Sequence, residues 1–164
     1  MKRILAIALL SAAMIAALSV RAEDKIADVT DMDALRTAVR TDKKAFVAAT
    51  LKLTDAEAKK FWPIYDAYQR DLDAVNRRRV LVYESLIGRE KALSNLYARN
   101  LAIDLIATDE AEMKLRRTLH NRLIKPLAGR TVMPTAKAAR YLQLESKIRA
   151  YQAYDIAVTF PLVK

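Results

Sequence analysis

Leu53-Thr54-Asp55-Ala56-Glu57-Ala58-Lys59-Lys60-Phe61-Trp62-Pro63-Ile64-Tyr65 is the stretch from which the fold can be read. Thr54 and Glu57 have the spacing of a capping box. The Thr54 hydroxyl can accept from the Glu57 backbone, and the Glu57 carboxylate can reach back to the Thr54 backbone. Leu53 stands just before the cap, where a hydrophobic staple residue belongs, and Ala58 is its small partner. A helix therefore starts here. Its apolar seam continues through Phe61, Tyr65, Tyr68, Leu72, Val75, Arg79, Val82 and Leu86, in alternating steps of three and four. That is a heptad, the pattern of a long helix packed along another. Pro63 removes a backbone donor and is expected to bend this helix or to end a short first turn. Gly88 is the expected stop.

Outward from this helix the chain reads as three more. Thr30 or Asp31 can cap a first helix to Thr50, with Leu35, Val39, Phe46 and Val47 as its stripe, broken by Lys43-Lys44. Leu93-Ser94 offers a start for a third, preferred over Thr108-Asp109-Glu110, which places Thr108 inside it. This third helix has two stripes. Leu101, Leu105, Leu115 and Leu119 form one, and Leu96, Ile103, Ile106, Met113 and Ile124 the other, so it should meet more than one neighbour. Pro126 and Gly129 end it. Pro134 opens a fourth helix near its first turn, where proline is tolerated. Tyr141, Leu144, Ile148, Tyr151, Asp155 and Val158 make its seam, and Pro161 ends it. Two glycines and four prolines in 164 residues leave little turn punctuation for strands. The fold class is all-α: four helices in long bent hairpins. A compact bundle is one arrangement and an elongated dimerising layer another, and the long seams favour the second.

The N-terminus reads as an export signal. Met1-Lys2-Arg3 is a basic opening, Ile4 to Val20 is apolar or small, and Val20-Arg21-Ala22 fits a signal-peptidase site with cleavage after Ala22. Residues 1–22 are then a signal peptide, 23–30 a flexible arm, and 31–164 a single helical domain. The chain has no cysteine, so neither a lipoprotein anchor nor a disulfide framework can form. Removing Lys2, Arg3 and Arg21 from 29 basic residues leaves 26 against 19 acidic ones. Outside the cytoplasm this excess points away from nucleic acid, towards unfolded acidic protein segments or weak contact with an anionic membrane surface.

Candidate sites are few. Arg77-Arg78-Arg79 is the densest basic run, but three consecutive helix positions span about 200° of surface. Arg79 lies on the seam, either facing a ligand or pairing with an acid such as Glu112. Arg116, Arg117 and Arg122 form a second basic set. Phe61, Trp62, Tyr65 and Tyr68 cluster as a packed hairpin end, with Trp62 off the seam and available to a partner or client. His120 is the only histidine. With no cysteine and no paired-histidine motif, no metal site or other cofactor is expected. No nucleophile motif or glycine-rich phosphate loop exists, so enzymatic activity is not expected either.

Leu53-Thr54-Asp55-Ala56-Glu57 followed by Phe61-Trp62-Pro63-Ile64-Tyr65, together with Ala139-Arg140-Tyr141-Leu142-Gln143-Leu144-Glu145 and Pro161-Leu162-Val163, resembles the periplasmic Spy/CpxP-like proteins with their LTxxQ motif. Glu57 stands where the motif has Gln. The second copy, Leu93-Ser94-Asn95-Leu96-Tyr97, has Tyr97 there. The resemblance implies a cradle-shaped helical homodimer in the periplasm. It implies ATP-independent chaperoning of unfolded periplasmic proteins. Read from charge and seam position in this sequence, Trp62, Arg77, Arg78, Arg79, Arg116, Arg117 and Arg122 are the candidates for a client or partner surface. The alternatives are an adaptor or inhibitor acting on the periplasmic domain of an envelope-stress sensor kinase, and a structural envelope protein on anionic surfaces.

Overall fold

The computed structural model describes residues 31–87, 93–124, 131–160 and 162. The expected signal peptide and arm, and the expected helix ends at Gly88, Pro126, Gly129 and Pro161, lie outside the described residues. Among the described residues there are four helices and no strand: α1 (Met32–Leu51), α2 (Asp55–Glu84), α3 (Asn95–Ile124) and α4 (Thr135–Thr159). The fold is all-α. The chain divides into two compact units between Lys52 and Leu53.

The first unit contains α1. Asp31 caps it, its carboxylate accepting from the backbone N–H groups of Asp33 and Ala34 at 3.0 and 3.1 Å. The helix is not continuous. Asp42 has an extended backbone (φ −160°, ψ 96°), and its own carboxylate accepts from the Ala45 N–H at 2.9 Å. Asp42 therefore acts as an N-cap for a second short helix. Leu35 and Val39 are buried in the first segment, and Phe46, Val47, Thr50 and Leu51 in the second. Lys52 ends the run in the left-handed conformation (φ 46°), a position that glycine usually holds because it has no Cβ to clash.

In the second unit the capping box of α2 forms in both directions. The Thr54 N–H donates to Glu57 Oε2 at 2.8 Å, and the Glu57 N–H to Thr54 Oγ1 at 3.4 Å. The Lys137 ammonium beside Glu57 holds its carboxyl below the usual carboxylate range, with help from the Thr54 backbone. Pro63 does not end the helix, which continues to Glu84. Pro63 and Lys59, whose carbonyl loses its donor, are both exposed, so water can serve that carbonyl. The α3 helix starts at the preferred place. The Ser94 hydroxyl accepts from the Tyr97 N–H at 3.3 Å, and Thr108 is buried within the helix. Tyr97, at the Gln place of the motif, does not reach back to the cap. Its hydroxyl donates across the hairpin to Ser85 Oγ at 2.7 Å.

These three helices run up, down and up. α2 and α3 are antiparallel, tied by Ser85 to Tyr97, Arg78 to Asp104, and Arg79 to Glu112. α4 lies parallel to α2. Lys137 meets Glu57, Tyr141 meets Phe61, Glu145 meets Gln69, and Phe160 stacks on Tyr83 at 5.1 Å. The core follows the seam read from the sequence. Phe61, Tyr65, Tyr68 and Leu72 of α2 are buried with Leu101, Leu119 and Leu123 of α3 and Tyr141, Leu144, Ile148 and Tyr151 of α4. Removing a fully buried aromatic such as Phe61 from such a core costs about 3–5 kcal/mol.

Candidate functional site

The most ordered cluster of charge lies inside the bundle. Arg79 arrives on the α2 seam, Glu112 from α3 and Arg149 from α4. Glu112 accepts two bonds from Arg149, one of them from Nε at 2.8 Å, and a further contact from Arg79 at 2.9 Å. Arg79 also reaches Asp109 at 3.0 Å and Asn76 at 3.3 Å, and Arg149 reaches Gln152 at 3.0 Å. The two arginines are only 8 % and 5 % exposed. Burial alone would raise the Glu112 carboxyl, but the Arg149 bonds and charge, and then those of Arg79, outweigh it and hold it below its ordinary value. Arg79 therefore makes the ion pair with Glu112 that its seam position suggested, and of the two readings given for it the ligand-facing one does not hold. A seam position faces the neighbouring helices, and Glu112 supplies the counter-charge that lets a guanidinium stay there.

The other candidate residues separate into distinct places. Trp62 is half-buried and packs edge-on to Phe61 at 4.9 Å and to Tyr65 at 5.3 Å, so it extends the aromatic core. Arg77 is exposed. Arg78 is exposed and pairs with Asp104 at 3.2 Å. It borders a cleft of about 420 Å³ between the end of α2 and the start of α3, with Leu81, Val82, Tyr97 and Leu101. Arg116 and Arg117 border a groove of about 330 Å³ between α3 and α4. Arg116 donates to Ser146 Oγ at 2.8 Å, tying the groove's two walls together. Arg122 lies away from them, in the crevice between α2 and α3 with Ile64 and Asp71. The second basic set is therefore not a single patch.

The α3–α4 groove has apolar walls from Met113, Leu119 and Leu142, a rim of Arg117 and His120, and a floor of Tyr68 and Glu145. Burial, and then the Glu145 charge, push the Tyr68 hydroxyl well up from its ordinary value. That hydroxyl has no hydrogen-bond partner among the described residues. No group of three or more histidine, aspartate or glutamate side chains that could hold a metal ion is found among the described residues.

Two apolar surfaces remain exposed, and the second is the α3 stripe expected from the sequence to meet a neighbour. The first is the end of the bundle where α2 finishes, α3 begins and α4 finishes. Leu81, Ile87, Tyr154, Val158 and Leu162 are each more than half exposed there. The second is the outer face of α3. Leu101 and Leu119 of its first stripe are buried, with Leu105 and Leu115 half-buried, but Leu96, Ile103, Ile106 and Met113 of the other remain more than half exposed. Among the described residues no helix is long and apolar enough to cross a membrane. No protein-family model matches the chain, and no curated protein or solved structure matches it significantly.

Proposed function

We propose that this chain is an exported, ATP-independent binding protein that shields non-native proteins of the bacterial envelope. One observation carries this reading: Leu81, Ile87, Tyr154, Val158 and Leu162 are all more than half exposed at the same end of a basic helical bundle, the end that also carries Arg77 and Arg78. Exposed apolar surface rimmed by charge is the composition of a protein-binding face. Positive charge speeds capture of acidic unfolded segments, and apolar side chains then hold them. The resemblance of the capping-box region to Spy/CpxP-like proteins and the signal-peptide pattern of residues 1–22 support the same reading.

The test is light scattering from an unrelated, chemically unfolded protein, with and without residues 23–164 and with no nucleotide. Near-stoichiometric suppression is expected, weakened several-fold by Leu81→Gln combined with Val158→Gln. Unchanged scattering would remove general chaperoning and leave a dedicated partner, such as a sensor's periplasmic domain, as the reading to pursue.

A further inference from the structure

Two stripes of side chains border the groove between α3 and α4. On α3, Met113, Arg116, Arg117 and His120 stand at i, i+3, i+4 and i+7. On α4, Leu142, Glu145 and Ser146 stand at i, i+3 and i+4. These spacings put side chains on one face of a helix. The bond from Arg116 to Ser146 joins the two faces. The groove's volume, about 330 Å³, lies at the small end of the roughly 300–1,000 Å³ of ligand clefts. It suits one short chain or one ring, and is too small for the paired acyl chains of a membrane lipid.

The chemistry of the lining changes from floor to rim. Met113, Leu119 and Leu142 supply apolar walls. Glu145 and Tyr68, at the floor, are 2 % and 5 % exposed. Glu145 accepts from Gln69 Nε2 at 3.4 Å, and burial keeps the Tyr68 hydroxyl protonated. The floor therefore repels an anion. At the rim the sign reverses. Arg117 and His120 are exposed, and neither makes an ion pair or hydrogen bond among the described residues. With Arg116 and Arg117 set against Glu145, the lining as a whole is positive. A solvated arginine alone marks nothing, but here unpaired donors stand one helical turn apart at the mouth of an apolar slot.

We propose that the α3–α4 groove binds a small amphipathic acid. Its apolar body lies between Met113, Leu119 and Leu142, and its carboxylate stays at the mouth, held by Arg117 and His120. A guanidinium bonded to a carboxylate makes one of the stronger charge-assisted pairs. Glu145 fixes the orientation, because an anionic head turned inwards would meet its charge. An amphipathic cation would instead have to pass Arg116 and Arg117 to enter. This inference does not rest on the client-binding reading. Ser146 lies about 18 Å along α4 from Val158 at the exposed end of the bundle, and the ligand is measured with no client present.

The experiment is a titration of the processed chain, recovered from expressing cells with its methyl groups labelled, with sodium octanoate, followed by NMR. Saturable shifts are expected at Met113, Leu119 and Leu142, with a Kd in about the high-micromolar to millimolar range for a ligand of roughly ten non-hydrogen atoms. Octylammonium should bind at least about tenfold more weakly, and acetate, which has no apolar body, should not saturate the shifts. Arg117→Gln should weaken octanoate about threefold to tenfold, the loss of one partly exposed charge-assisted bond. Arg117→Lys, which keeps the charge, should weaken it less. Arg117 is exposed, so helix content by circular dichroism should be unchanged in both variants. Octylammonium binding as tightly as octanoate, shifts confined to the bundle end at Leu81 and Val158, or an Arg117→Gln variant that binds octanoate like wild type would each overturn the proposal.

Discussion

Replacing Glu112 by glutamine tests whether the buried Arg79–Glu112–Arg149 cluster is held together by one carboxylate. The amide keeps the shape but removes the negative charge, and it turns one of two acceptor oxygens into a donor aimed at a guanidinium. Arg79 would keep Asp109, whose side chain is mostly exposed and so a weak counter-charge, and Arg149 would keep only the neutral Gln152 among its described partners. Breaking a buried ion pair from one side costs about 3–5 kcal/mol, because the remaining charge stays buried. The residual Asp109 contact places Glu112→Gln near the lower end, about 3 kcal/mol, or roughly a 10 °C fall in Tm for a domain of this size. Urea unfolding followed by circular dichroism measures this directly, with Asp104→Asn as the control. Asp104 pairs with Arg78 at the surface, where the loss should be at most about 1 kcal/mol. The pH dependence gives a second reading. A carboxyl lowered in the folded state contributes stability that is fully present above its ordinary value of 4.5 and is lost as pH falls through the folded value. Wild type should lose stability on acidification below that value, and Glu112→Gln should lack this site's share of the loss. A Glu112→Gln variant as stable as the Asp104→Asn control, with an unchanged acid profile, would refute the reasoning.

Thr54→Ala should remove one half of the capping box and cost about 1 kcal/mol in the same unfolding assay. Tyr68→Phe removes a buried hydroxyl with no partner among the described residues, so stability should stay level or rise by up to about 1 kcal/mol; a large loss would reveal a bond made there. Mass spectrometry of the chain recovered from the envelope fraction should find Glu23 as the first residue. Retention of residues 1–22 would refute the export reading.

The bundle was legible wherever local chemistry and periodicity agreed. The capping box at Thr54, the seam from Phe61 to Leu72 and the start at Ser94 depend on near neighbours, and all appear as read. The break at Asp42 had a signal too, in the interruption of the stripe by Lys43-Lys44, but the stripe resumes at Phe46 and Val47 and reads as one helix. Glu145 and Arg149 were harder to place. They lie beside Leu144 and Ile148, and helical spacing cannot show how wide a buried arc is until the neighbouring helices are in place. For the same reason Val158 was assigned to the seam but is exposed, since α4 reaches the open end of the bundle there. The two stripes of α3 implied more than one neighbour. Within one chain the first is buried or half-buried, while Leu96, Ile103, Ile106 and Met113 of the second stay exposed.

The double start of α1 bears on how the chain opens and closes. The segment from Met32 to Thr41 is shorter than the roughly 12–15 residues at which an isolated helix becomes marginal in water. Its order therefore depends on the burial of Leu35 and Val39 and on the Asp31 cap, and Asp42 interrupts its hydrogen-bond ladder to the next segment. Each part carries its own cap, so the first can melt without unwinding the second. In native-state hydrogen exchange, amides of residues 35–41 should exchange through a low-energy local opening, well before those around Phe61, Leu119 and Ile148, which should wait for global unfolding.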